Sequence, residues 1–139
     1  MGRRDVKIIA DTNLLVRAAV RDDPEQTSMA EDALREADSI AITLPTLCEF
    51  VWVLMRGYKK TPGQVAVAMR RLLNSATVAV DRPAADAGLA NLEAGGDFAD
   101  GVIAFEGRRL DGEVVVTFDR KAAALLDAAG TTARFLSKT

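Results

Sequence analysis

Short apolar runs alternate along the chain with longer stretches in which apolar residues recur every three or four positions. The short, β-branched runs predict strands at 7–10, 40–43, 77–80, 113–118 and 133–136. The longer stretches predict helices at 14–20, 25–37, 45–56, 62–74, 83–93, 98–109 and 120–128. Single strands separated by helices indicate an α/β fold. We therefore predict a parallel-sheet, three-layer α/β/α sandwich with helices on both faces of the sheet.

The length and composition are those of one ordinary globular domain. We predict a single domain over residues 1–139, with its core at about 7–136. The hydrophobic content is 49%, which argues against intrinsic disorder. A chain of this size buries about two-thirds of the surface of its unfolded form, so it needs no disulfide or structural metal to fold.

The residues that are missing restrict the chemistry. The chain has no histidine, which excludes a Ser-His-Asp triad, a zinc site with histidine ligands and RNA cleavage by paired imidazoles. The single Cys48 excludes an internal disulfide and a CxxC metal site. The glycine-rich phosphate-binding motifs are also absent. Any hydrolytic reaction must therefore depend on carboxylates, and a metal ion is the expected helper.

The charge pattern and the N-terminal residues show no signal for export or for a membrane. The formal net charge is −2, so basic character is confined to local pairs at 59–60, 70–71, 108–109 and 120–121. No apolar run reaches the roughly 18 residues of a membrane-spanning helix. Residues 1–4 include two arginines, but no apolar segment of the signal-sequence type follows them. We therefore expect a cytoplasmic protein without a membrane partner.

Two aspartates follow predicted strands directly. Asp11 ends the apolar run that starts at Lys7, and Asp119 ends the most strand-like run of the chain. Ligands of parallel α/β sheets bind beyond the carboxyl ends of the strands, so both side chains are candidates for one site. The structural alternative is that each aspartate only caps the following helix. Thr117 alternates onto the same side of its strand as Asp119 and is placed to orient it.

Three further acids lie on predicted helices or directly before one. Glu49 shares a helix face with large apolar residues and has no lysine or arginine one turn away, although a solvent-exposed face is the alternative. Asp97 and Asp100 are three residues apart on one helix face, where a cap and a favourable helix dipole are the alternative explanation. Gly101 weakens that helix by up to about 1 kcal/mol relative to alanine, which a close backbone approach would explain.

Taken together, Asp11, Glu49, Asp100 and Asp119 fit one arrangement better than four separate explanations. Carboxylates about 4 Å apart repel each other by roughly 4 kcal/mol per pair at an effective dielectric constant of 20. A fold that brings them together therefore needs a cation. Ligands that are all oxygen select Mg²⁺ or Mn²⁺ over zinc or copper, and water on such an ion is a possible nucleophile.

The ordered set of these motifs resembles the PIN domain. The resemblance rests on Asp11-Thr12-Asn13 after an apolar strand, Glu49 in an apolar helix, Asp97-Phe98-Ala99-Asp100, and Val116-Thr117-Phe118-Asp119. It extends from about Ile8 to Asp119. The short chain further resembles the VapC-type toxins of bacterial toxin–antitoxin pairs. Gly101 departs from the family, in which alanine is commoner at this position.

The resemblance implies a Mg²⁺- or Mn²⁺-dependent ribonuclease. It implies that Asp11, Glu49, Asp100 and Asp119 are the catalytic, metal-binding acids, and that Asn13, Asp97 and Thr117 support them. It also implies the partners of such a toxin. These are an RNA substrate, a cognate antitoxin protein, and a second copy of the chain in a homodimer or in a dimer of toxin–antitoxin pairs.

Three other functions remain as alternatives at this point. A DNA-directed nuclease needs the same metal chemistry. An inactive PIN-like domain would use its acids to hold a basic segment of a partner protein. A phospho-acceptor signalling domain also has aspartates at strand ends, but it needs two adjacent acids after the first strand and an Asp after a middle strand. Here Asp11 has no acidic neighbour, and the run 40–43 ends in Thr43.

Overall fold

A computed structural model describes residues 6–138 of the chain. The basic N-terminal residues considered above as a signal sequence lie outside the described part, as does Thr139. The chain forms two compact units, which divide between Asp81 and Arg82.

The first unit contains three strands and four α-helices. Its elements are β1 (Lys7–Ile9), α1 (Thr12–Val20), α2 (Pro24–Glu36), β2 (Ser39–Ala41), α3 (Leu44–Trp52), a π-helical turn (Val53–Gly57), α4 (Pro62–Leu73) and β3 (Val78–Ala79). The strands form one sheet in the order β1-β2-β3, and both pairs are parallel. Ile40 of β2 lies between Ile8 and Val78 in the register.

The core of the first unit lies where α1 contacts α2 and α3. Its most deeply buried large side chains are Val16, Leu47, Phe50, Val65 and Met69. The apolar side chains of α3 are not all buried. Phe50 and Val51 are buried, but the side chain of Trp52 is 63% exposed. The hydrophobic pattern alone cannot distinguish a buried apolar face from an exposed one.

The second unit contains α5 (Arg82–Glu93), α6 (Phe98–Arg109), β4 (Val115–Thr117), α7 (Arg120–Ala128) and β5 (Ala133–Phe135). Strands β4 and β5 are parallel, with Thr117 opposite Phe135. The α7 helix contacts both strands and α6. The second unit therefore contains both the start of α6 and the start of α7, which lies just after β4.

Two glycines allow α5 and α6 to pack closely. A Cβ atom on Gly101 would lie 2.5 Å from the carbonyl oxygen of Ala87 and 2.9 Å from Cβ of Asn91. A Cβ atom on Gly88 would lie 2.6 Å from the ring of Phe98. The close backbone approach expected at Gly101 is therefore confirmed, and it explains why the helix contains a residue of poor helix propensity.

The observed order of strands and helices is the predicted one, and the strand pairs are parallel. The α/β class is thus confirmed. The strands are shorter than predicted, and the helix predicted over 45–56 ends as an α-helix at Trp52 and continues as the π-helical turn. Within residues 6–138, no helix is both long enough and apolar enough to cross a bilayer. The prediction of a single domain stays a prediction.

Candidate functional site

Asp11 lies just beyond β1 and caps α1. The N–H of Ala10 donates to the carbonyl oxygen of Ala41 at 3.0 Å, which extends the pairing of β1 with β2 by one residue. The chain then leaves the sheet, and Oδ1 of Asp11 accepts a hydrogen bond from the N–H of Leu14 at 2.9 Å. Ala10 is buried and Asp11 is exposed. The strand end therefore presents a carboxylate whose orientation is fixed by the helix that follows.

Glu49 lies in α3 of the same unit and is exposed. Its Oε2 atom accepts a hydrogen bond from Oγ1 of Thr12 at 3.1 Å. Thr12 follows Asp11 directly and is the first residue of α1. The contact therefore links the polar turn after β1 to the acid predicted from α3, although 37 residues separate the two side chains along the chain.

Asp119 repeats the arrangement of Asp11 in the second unit. It lies two residues after the end of β4 and caps α7, with Oδ1 accepting from the N–H of Ala122 at 3.0 Å. The N–H of Asp119 donates to Oγ1 of Thr117 at 3.0 Å. Thr117 thus contacts the backbone of Asp119, and its role in orienting the carboxylate stays a prediction.

Asp97 and Asp100 lie at the start of α6. Oδ1 of Asp97 accepts from the N–H of Ala99 at 3.3 Å, and the carbonyl oxygen of Asp97 accepts from Nδ2 of the buried Asn91 at 2.7 Å. Asp100 is half-buried in the first turn. Burial raises the pKa of the Asp100 carboxyl above its ordinary value, and the negative charges of Asp97 and Asp119 raise the pKa further. Asp97 and Asp119 are therefore each close enough to Asp100 to repel its charge.

The capping explanation is correct for Asp11, Asp97 and Asp119, but capping uses only one of their two oxygens. In each case Oδ1 accepts the backbone hydrogen bond, and within residues 6–138 no hydrogen bond reaches Oδ2. An ionised carboxylate has about four acceptor positions, so a cap and a metal ligand are compatible roles. The Oδ2 atoms are left for a ligand.

The donor set suits a hard divalent cation. All four predicted ligands are carboxylates, and Mg²⁺ and Mn²⁺ prefer oxygen. Among the described residues, no three acidic, histidine or cysteine side chains form a group placed to hold one ion. The gathering of Asp11, Glu49, Asp100 and Asp119 around one ion therefore stays a prediction. The mutual repulsion around Asp100 is the feature that a cation would relieve.

The first unit also contains a cavity beside Asp11 that is open to solvent and has both polar and apolar walls. Its volume is about 680 Å³, and its lining includes Asp11, Asn13, Arg17, Gln26 and Met29. Asn13 was predicted as a supporting residue, and it lies on the wall of this cavity. The structure thus links Asp11 to Asn13 by the cavity and links Glu49 to Thr12 by a hydrogen bond. In the second unit it groups Asp97, Asp100, Thr117 and Asp119.

Two residues of this region were missed by the sequence reasoning. Thr12 was named only as part of the motif after the first strand, because nothing in the spacing reveals its contact with Glu49. Gln26 was treated only as part of a helix, and its place in the cavity depends on how α2 packs against α1. The position of Thr12 beside Asp11 was the one available signal.

The parallel α/β fold with acids at strand ends and helix starts is that of a nuclease-like class of domain. The family model of the PIN domain matches residues 8–127. The chain therefore belongs to the PIN domain family, and this membership supports the three-layer α/β/α sandwich predicted from the element order. No curated protein matches the chain in sequence.

Proposed function

We propose that the chain is a Mg²⁺- or Mn²⁺-dependent endoribonuclease and the toxin of a toxin–antitoxin pair. PIN domains are generally nucleases, and that general activity comes with the family match. The observation that carries the proposal is the position of Asp100, half-buried beside the charges of Asp97 and Asp119. A fold gains no stability from such repulsion, so the arrangement points to a cation as the partner of these acids.

The metal ligands in this proposal are Asp11, Glu49, Asp100 and Asp119. A bound divalent ion lowers the pKa of a coordinated water and stabilises negative charge on the phosphate. Three residues support the ligands. Thr117 fixes the backbone of Asp119, Asp97 adds negative charge beside Asp100, and Asn13 offers an amide beside Asp11.

Proton transfer falls to carboxylates or solvent, because the chain has no histidine. The basic pairs at 59–60, 70–71, 108–109 and 120–121 supply cations for the phosphate backbone. We expect the affinity for RNA to fall as salt is raised for the same reason.

The central test is cleavage of RNA by Asp11→Asn. Asparagine is as good a helix cap as aspartate, so the variant keeps α1 while it loses a charged ligand. Asp23→Asn is the matched control, because Asp23 caps α2 by the same type of bond, to the N–H of Gln26, and is not among the proposed ligands. We expect Asp11→Asn to lose at least about 100-fold in Mg²⁺- or Mn²⁺-dependent cleavage, and Asp23→Asn to match the wild type. Undiminished cleavage by Asp11→Asn, or cleavage that persists in EDTA, contradicts the proposal.

The nature of the substrate is tested with matched RNA and DNA strands of one sequence. Faster cleavage of RNA supports the ribonuclease, and equal or faster cleavage of DNA supports the DNA-directed alternative. Calorimetry with Mn²⁺ tests the protein-binding module. Saturable binding of Mn²⁺ that Asp100→Asn weakens supports a metal site, whereas partner binding without any Mn²⁺ binding supports the module.

The toxin role and its partners are proposed on the strength of the resemblance to VapC-type proteins. Expression of the wild type is expected to arrest bacterial growth, and Asp100→Ala is expected to remove the arrest. We propose a homodimer in the cytoplasm that a small antitoxin, encoded by a neighbouring gene, silences. Light scattering of the purified chain tests the dimer, and restored growth on co-expression of the neighbouring gene tests the antitoxin.

A further inference from the structure

We propose that the cavity beside Asp11 is a subsite for one base of the RNA, and that Asn13 and Gln26 make it selective for adenine. This inference rests on the proposed ribonuclease function, and it adds the residues that choose the sequence to be cut. Asp11, the predicted metal ligand, lines the cavity together with both amides. A base held there lies next to the acid that is expected to act on the phosphate.

The volume and the lining suit a nucleotide. The cavity has about 680 Å³, within the range of about 300–1,000 Å³ that small-ligand sites occupy. Met29 in its wall is 65% exposed, so an apolar, polarisable thioether is available to a base. Sulfur makes favourable contacts with aromatic rings, and proteins hold unstacked RNA bases on flat or apolar side chains. Arg17 adds a positive charge to the wall. Its Nη1 atom also forms an exposed ion pair with Oδ1 of Asp22 at 2.9 Å.

Both amides are available for recognition. The backbone N–H of Gln26 donates to Asp23, but within residues 6–138 the side-chain amides of Gln26 and Asn13 have no hydrogen-bond partner. Both residues lie in the first turns of their helices, Asn13 in α1 and Gln26 in α2. Because these helices pack against each other, Asn13 and Gln26 line the same cavity.

The chemistry of a primary amide favours adenine. An amide offers one donor next to one acceptor, and adenine presents the complementary pair at N6 and N7. Adenine also presents such a pair at N6 and N1, on its base-pairing edge, and the two hydrogens of its N6 amino group serve both edges. Guanine has only acceptors at its N7 and O6 edge, and the pyrimidines have a donor–acceptor pair only on their base-pairing edge. Two amides can therefore form paired hydrogen bonds with both edges of adenine, but with only one edge of any other base.

The first arm of the test is a cleavage experiment on a pool of RNAs that are random around a fixed reporter sequence. Sequencing of the products gives the base preference at each position around the cut. We expect the wild type to enrich adenine at one position and Gln26→Ala to lower the ratio of adenine to the other bases about tenfold. Gln26→Glu removes the donor and keeps the acceptor, so we expect its preference to move towards cytosine. Ser28→Ala, an exposed position of α2 outside the cavity, is the control and is expected to cut as the wild type does.

The second arm measures binding without any metal or cleavage. The side-chain amide signals of the full chain are followed by NMR in EDTA while AMP, GMP, CMP or UMP is added. We expect AMP to shift the signals of Asn13 and Gln26 and to bind at least about tenfold more tightly than the other three, and Gln26→Ala to remove this difference. Four nucleotides that bind equally, or shifts that bypass both amides, contradict the subsite.

The two arms separate failure of the subsite from failure of the nuclease. If the chain cuts RNA with no base preference at any position, the subsite is wrong and the nuclease stands. If AMP binds selectively to both amides but no RNA is cut under any metal, the ribonuclease is wrong and the adenine site stands. A preference for another base that Gln26→Ala leaves unchanged also contradicts the proposal, because the selecting residues then lie elsewhere.

Discussion

The hydroxyl of Thr12 donates a hydrogen bond to Oε2 of Glu49 at 3.1 Å. This bond holds an exposed acid of α3 against the polar turn that follows β1, and it joins two motifs that are far apart along the chain. A serine or threonine hydroxyl at this position thus acts as a positioning group for Glu49.

Replacing Thr12 by valine removes the hydroxyl and keeps the shape of the side chain. We expect kcat for RNA cleavage to fall about tenfold, the size of a hydrogen bond to a charged group. Since Glu49 is exposed, the free energy of unfolding should change by less than about 1 kcal/mol. Thr12→Ser retains the donor and should restore kcat. A Thr12→Val enzyme with wild-type kcat would show that Glu49 does not depend on this bond.

Adding one methyl group to α6 should have opposite effects at two positions. At Gly101 the new Cβ meets the backbone oxygen of Ala87 at 2.5 Å, so Gly101→Ala should lower the free energy of unfolding by about 1–3 kcal/mol. At Gly107 no atom lies within 4 Å, so Gly107→Ala should raise it by about 0.5–1 kcal/mol through helix propensity. Denaturant titrations of both variants measure the two signs. Equal effects would mean that α5 and α6 are not in close contact.

The two roles of Asp119 are separable by choice of substitution. Asp119→Asn keeps an oxygen to accept from Ala122 and should leave the thermal midpoint near that of the wild type while cleavage is lost. Asp119→Ala also loses the cap, so the free energy of unfolding should fall by about 1 kcal/mol more. Thermal unfolding and a cleavage assay on the same samples distinguish them. If Asp119→Asn cleaves normally, the capping role is the whole role.

The raised pKa of Asp100 predicts how stability depends on pH in the absence of metal. The folded state favours the protonated carboxyl, so its contribution is complete at pH below 3.8 and is lost as the pH rises through the raised pKa. Asp100→Asn cannot ionise and should therefore be more stable than the wild type at neutral pH, by at most about 1 kcal/mol because solvent screens a partly exposed group. The difference should vanish at low pH. A less stable variant at pH 7 in EDTA would contradict this sign.

Added Mn²⁺ should make the wild type more stable than Asp100→Asn, which reverses the order expected without metal. An ion that binds only the folded state stabilises it by about 2.7 kcal/mol at a concentration 100 times its Kd. The wild type should therefore gain in thermal midpoint, EDTA should cancel the gain, and Asp100→Asn should respond weakly. Asp23→Asn should respond as the wild type does. An equal gain in all three proteins would indicate a site elsewhere.

The element order was predictable because apolar periodicity decides it, and the caps Asp11 and Asp119 were predictable because each follows a strand. The last strand residues were not predictable. Backbone pairing decides where a strand ends, and β3 pairs with β2 over only two residues. The exposure of Trp52 was missed for a related reason, since an apolar helix shows which residues are hydrophobic but not which of them find a partner.

The candidate acids were found from the sequence, but their surroundings were not. The contact of Thr12 with Glu49 and the place of Gln26 beside Asp11 both depend on how helices pack. The repulsion around Asp100 likewise requires α6 and α7 to start close together. Gly101 is the exception. Its low helix propensity already suggested a close approach, and Ala87 supplies it.

The division between acids that cap helices and acids that do not has a consequence for descendants of this protein. Asp, Asn, Ser and Thr can all cap the starts of α1, α6 and α7 by accepting a hydrogen bond from a backbone N–H. A lineage that lost hydrolysis would therefore keep some polar residue at positions 11, 97 and 119. Glu49 and Asp100 cap nothing, and drift would erase them first. Loss of the acids at positions 49 and 100 would therefore identify the relatives that no longer hydrolyse their substrate.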